Sequence, residues 1–188
     1  MIEPTDFSWN KFEQYIFKEG KWEIPSKHKI KINDLSEKRN TLELILYKMP
    51  QKYLAMWAIK NAQPFLSFIE IGDNELKESI IRETTNKINM RIDGKINAYE
   101  LRNAGFLANK LGQQSINELS KFSARVFAQS IATGHMRAHA IVSSDYAIKV
   151  INILFPKNMI KVEEERNRQI ELANQILEKY DIETRSSL

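Results

Sequence analysis

The chain has no cysteine among its 188 residues, which excludes disulfides and thiolate-bound metal centres. Glycine (6) and proline (5) are scarce. Strand-and-turn architectures need both at their bends, so the shortage points to helices. No apolar run approaches the roughly 20 residues that would cross a bilayer. The opening MIEPTDFSWNKF is acidic with no apolar core segment, so no secretory leader is expected and the expected location is the cytoplasm. A glycine-rich phosphate loop, a nucleophile elbow and an EF-hand loop are also missing. No catalytic residue and no cofactor is therefore expected, and the residues favour a non-enzymatic role.

What is present is an ordinary globular composition, 43% hydrophobic and 28% charged, in a chain long enough to bury one core without covalent staples. The net charge is +4. Its basic and acidic residues are interspersed, which suits a solvated surface better than a nucleic-acid track.

The stretch from Ser120 to Phe155 organises the rest. It is apolar most of the way round and its polar residues are mostly small, the mark of a buried helical segment. It reads as two helices meeting near Gly134, or one kinked there. Ala124, Ala128 and Ala132 recur at four-residue spacing before the glycine, and Ala140, Ser143 or Ser144 and Ala147 form a second narrow stripe after it. Small residues let helix axes approach to the short end of the usual range of about 8–10 Å. Ala128 and Ala140 are therefore expected in the interior.

Around this pair the chain divides at helix signals. Residues 1–33 are the least regular, with Trp9, Phe12 and Ile16 on one short helical face and a strand-like 29–32 that lacks a partner, so an ordered arm is expected. Asn33 or Asp34 caps a helix buried through Leu42, Ile45, Leu46 and Met49, with Glu37 three residues after Asp34 in capping-box position. Pro50 opens a helix that Pro64 splits or kinks. Asp73 or Asn74 opens one with a narrow seam at Leu76, Ile80, Thr84, Ile88 and Ile92. Asn97 with Glu100 opens another, and Pro156 with Asn158 separates the central unit from a last helix. On that helix Arg166 and Gln169 share the apolar face of Val162, Ala173 and Ile176. The expected fold is all-α, a single-domain bundle of about seven helices with a central buried pair over about 120–155 and an irregular N-terminal arm. The expected limits are 1–33 for the arm, 34–182 for the bundle and 183–188 for a disordered tail.

Six residues are candidates for ligand binding: His135, His139, Arg125, Arg137, Asp145 and Arg166. On a continuous helix the two histidines would share a face and could hold a metal, although Met136 stands where a zincin has its glutamate. Hydrogen-bonded interior histidines are the competing reading. A buried arginine must find a carboxylate or backbone carbonyls, and Asp145, Glu100 and Glu43 are the candidate partners. The arginines are either structural ion pairs or the wall of an anion cleft. Trp9, Trp22 and Trp57 lie among lysines, a mixture that can hold single strands or pin the arm to the core.

The run SARVFAQSIATGHMRAHAIVSSDYAIKVI resembles the signature of the immunity type-five-like family of bacterial helical proteins. Ala124, Ala128, Gln129, Ala132, Thr133, His135, His139 and Ala140 carry the resemblance. Ser130, Ile131 and Gly134 depart from it, the last standing where alanine is common. LAMWAIKNAQP (54–64) and the last helix are also similar. The resemblance implies an all-α bundle that binds and neutralises a cognate toxin. The basic composition points away from a nucleic-acid mimic and toward a toxin face that is acidic or mainly apolar. A metal- or small-ligand-binding domain centred on His135 and His139 is the alternative, and a nucleic-acid-binding helical protein is the second. No membrane partner is expected, and a homodimer is compatible with the sequence.

Overall fold

The computed structural model describes residues 2–185. It is all-α, as expected: nine α-helices and one 3-10 segment among the described residues, with no strand beyond a single bridge between Ile71 and Ser115. Two short helices, α1 (Pro4–Phe7) and α2 (Lys11–Lys18), belong to the arm. Seven make the bundle: α3 (Ser36–Tyr47), α4 (Gln51–Ala62), α5 (Asn74–Ile92), α6 (Ala98–Gln113), α7 (Glu118–Ala132), α8 (His139–Leu154) and α9 (Met159–Arg185). Residues 186–188, the end of the expected tail, lie outside the described residues.

Helix ends sit where side chains take up the free N–H groups of a first turn. Asp73 accepts from Leu76 N, Asn117 from Ser120 N and Asn158 from Lys161 N. Asn97 and Glu100 form a complete capping box. Pro64 splits α4 from the 3-10 segment Gln63–Phe68. α1, α3, α4 and α8 have no side-chain cap. Asp34, expected to cap α3, is drawn away by a charge on another helix.

α7 and α8 form the central pair. Ala124, Ala128, Ala140, Ser143, Ser144 and Ala147 are all buried, and Ser143 Oγ donates to Val126 O at 2.8 Å, joining the two backbones. α7 also packs on α6 and α4, with α5 outside α6, while α3 and α9 cover the far side of α4 and α8. Two apolar clusters result. One is built around Phe65, Ile88, Leu101 and Phe127, the other around Leu42, Leu54, Trp57 and Ala173. α4 contributes to both.

Candidate functional site

The six candidates do not form one site. Five of them fall into three places, which other residues complete, and Arg125 stands apart.

The first is a chain of buried charges between α3, α8 and α9. Asp145 on α8 receives Arg166 Nη2 at 2.8 Å and Arg39 Nη2 at 3.0 Å. Arg166 extends to Asp34, 2.6 Å from Nη2 and 2.9 Å from Nε, and donates to Ser144 Oγ and Gln169 Oε1. Arg39 extends to Glu43 and to Ser26 O. Two guanidiniums thus face three carboxylates, with His28 Nε2 3.2 Å from Asp34 at the outer edge. Burial works against the charge of Arg166, but Asp34 and Asp145 outweigh it and hold its pKa above the ordinary value. Arg39, Asp34 and Glu43 complete this group, and of these only Glu43 was among the candidate partners. The signal was present in α3, where Arg39, Leu42, Glu43 and Leu46 fall on one helical face and all four are buried.

The second place is Arg137, in the turn before α8 and 3% exposed. It meets no carboxylate at salt-bridge distance among the described residues. Its guanidinium instead takes carbonyls: Phe7 O, Leu46 O at 2.9 Å, Met49 O at 3.1 Å and Tyr47 O at 3.3 Å. Leu46 and Tyr47 are the last residues of α3 and Met49 follows its end, where a cation also complements the helix dipole. The ring of Phe7 lies 3.7 Å from its central carbon, and Trp22 lies beyond. Burial pushes its pKa down to about 9, with Glu13 and Tyr47 pulling upward, so it stays cationic at neutral pH. Glu13 is itself buried on α2 and was not foreseen. It accepts from Arg137 N at 3.0 Å and Ala138 N at 3.3 Å, an anion at the start of α8, and from Ser8 Oγ at 2.6 Å. Trp9 is pinned separately, under Arg91 at 4.6 Å. Trp22 and Trp9 therefore fasten the arm, whereas Trp57 lies in the core with its Nε1 donating to Gln169 O.

The third place is the α7–α8 turn. His135 lies in the turn and His139 is the first residue of α8, so the two are not one helical turn apart on a common helix. His139 Nδ1 is 2.6 Å from Gln129 Oε1. Burial, and then the nearby His135, lower its pKa. His135 Nδ1 is buried without a partner. No carboxylate joins them among the described residues. Among the described residues the grouping with metal-ligand geometry is His28, Asp34 and Asp145, and there the guanidiniums of Arg166 and Arg39 supply the positive charge. Arg125, the remaining candidate, is half-buried over Gly112, its Nε 3.7 Å from where a Cβ would stand.

Arg137 also borders an open cleft of about 500 Å3 between α2, the arm, α3 and the start of α8.

A family model described as Imm-5 like putative immunity protein matches residues 44–176. The chain belongs to that family. No curated protein and no solved structure matches it. The Imm-5 like span holds His135, Arg137, His139, Asp145 and Arg166. The countercharges Glu13 and Asp34, and Arg39 as well, come from the chain before it. No described helix is long and apolar enough to cross a membrane.

Proposed function

We propose that this protein is a cytoplasmic immunity protein that neutralises a toxin by binding it, without chemistry of its own. Membership of the Imm-5 like family over residues 44–176 carries the reading. The fate of the candidate residues supports it. Asp145 and Arg166 are bound to each other, Arg137 is bound to backbone, and His139 is bound to Gln129. Groups held this way build the scaffold, and a rigid scaffold is what a preorganised binder requires. The net charge of +4 suits a toxin face that is acidic or largely apolar.

The test is co-expression with the toxin encoded beside its gene. Rescue of growth, together with a stable complex of the two purified proteins, is the expected result. Absence of both with every neighbouring gene product would overturn the proposal.

A further inference from the structure

The cleft beside Arg137 shares Arg137, Glu43, Tyr47 and Trp22 with the bonding described above, and its hollow stands open. At about 500 Å3 it has the size of sites that take a drug-sized group. Its walls are Phe12 and Ile16 of α2, Trp22 of the arm, Tyr47 at the end of α3, and Ile141 and Val142 of α8. Its mouth carries Lys21, Lys27 and Lys29. Lys27 and Lys29 are exposed and have no ion pair among the described residues. Of the two acids lining the cleft, Glu43 is taken by Arg39 and by Ser26 N, 2.9 Å away, which leaves Glu23. Three lysines thus stand around an apolar hollow with one uncommitted carboxylate; Lys21 is paired with Glu19 at 3.7 Å, and Lys27 and Lys29 are the free ones among the described residues. The apolar surface continues outside the hollow, where Phe12 is 66% and Tyr15 53% exposed. A small molecule swallowed whole would not cover that lip, but a protein surface would. Trp22 and Tyr47 in its wall are of the aromatic types that dominate interface hot spots.

We infer that this cleft receives an acidic segment of a partner protein, which seats one large apolar side chain between Trp22 and Val142 and sets its carboxylates against Lys21, Lys27 and Lys29. The inference rests on the immunity reading for the partner being a protein, and it names the face and the chemistry by which that partner is held. Apolar insertion supplies affinity, and the lysine rim supplies selectivity and rate of encounter.

The experiment uses the full chain, labelled for NMR and titrated with three synthetic heptapeptides: Asp-Glu-Asp-Phe-Asp-Glu-Asp, the same with alanine for phenylalanine, and Lys-Arg-Lys-Phe-Lys-Arg-Lys. The first should shift the Trp22 indole and the Ile141 and Val142 amides, and bind about tenfold or more tighter than either control. Lys27→Glu with Lys29→Glu, both on the exposed arm, should abolish the preference while leaving the circular dichroism spectrum unchanged. Equal binding of the three peptides, or shifts confined to other faces, would overturn the inference. The same double variant in the co-expression assay separates the two proposals. If it still neutralises the toxin, the docking face lies elsewhere and the immunity reading survives. If the wild type selects the acidic peptide but neutralises no neighbouring toxin, the cleft is a site for another acidic protein and the immunity reading fails.

Discussion

Arg166 Nη2 lies 2.6 Å from Asp34 Oδ2 and 2.8 Å from Asp145 Oδ1, so one guanidinium on α9 ties the chain ahead of α3 to the middle of α8. Asp145 is the node of this arrangement, because Arg39 also ends on it. Breaking a buried pair costs more than the pair is worth, since the partner keeps its charge and loses its solvent. Asp145→Ala removes the carboxylate that the two guanidiniums share, leaving Arg166 with Asp34 and Arg39 with Glu43, and should cost about 3–5 kcal/mol in urea denaturation. Replacing Arg39, Asp145 and Arg166 together by apolar residues of similar size should cost much less than the three single losses summed. An Asp145→Ala protein as stable as the parent would show that the three helices are held by apolar packing alone.

Acid should loosen the same region, with a sign fixed by Asp34. Burial opposes ionisation of its carboxyl. The hydrogen bond and charge of Arg166, with His28 and the Leu35 N–H, more than compensate and hold its pKa below the ordinary 3.8. The unfolded chain therefore takes up the proton first. The stabilisation from Asp34 is complete above that ordinary value and is lost as pH falls through the lower folded one. Thermal midpoints should fall between about pH 5 and pH 2.5, the range in which carboxylates titrate. Asp34→Asn should lower the midpoint at pH 5 and flatten its dependence on pH. An unchanged slope would assign the acid sensitivity to other carboxylates.

Arg137 predicts how the arm is fastened. A lysine there keeps the charge but has three donors on one atom, and cannot span carbonyls on both α1 and α3 as the planar fork does. Arg137→Lys should cost about 1–3 kcal/mol, the range for leaving buried acceptors unpaired. It should also expose residues 8–33 to limited proteolysis before the bundle opens. Glu13→Gln should give a smaller loss, about 0.3–2 kcal/mol, by removing the anion at the start of α8. Protection of the arm unchanged in both variants would mean that the aromatic contacts of Phe7, Phe17 and Trp22 hold it without help.

These side chains mark where the sequence was readable and where it was not. Period and capping rules are local, and they located α4 through α9 and the interior place of Ala128 and Ala140. They also put Arg166 on a buried face. Asp145, one partner of Arg166, is a candidate in the sequence; the other, Asp34, lies 132 residues before it, at a distance no periodicity spans, and by local rules looks like a cap for the helix it precedes. The spacing of Trp9, Phe12 and Ile16 points to an inner face of α2 that excludes Glu13, whereas Glu13 is buried and Phe12 lines an open cleft. The two histidines were placed on one helix because nothing in the run before Pro156 announces a turn except Gly134. Six residues of turn, 133–138, intervene between α7 and α8.

Gly134 gives the sharpest prediction, because its reason is space and not backbone freedom. A Cβ there would overlap Leu101 Cδ2 and come within 3.5 Å of Ile88 Cδ1. Leu101 and Ile88 are both fully buried, on α6 and α5, so neither can swing into solvent to make room. Gly134→Ala, mild by chemistry, should therefore behave as overpacking and cost about 1–3 kcal/mol. Shortening the obstructing side chain should undo part of this. Leu101→Val alone opens a small void and should destabilise, since a lost methylene in a packed interior is felt. The double variant should nevertheless be more stable than Gly134→Ala alone, a favourable coupling readable from a denaturation cycle. Strict additivity of the two changes would mean that Leu101 does not occupy the space which a side chain at position 134 would need.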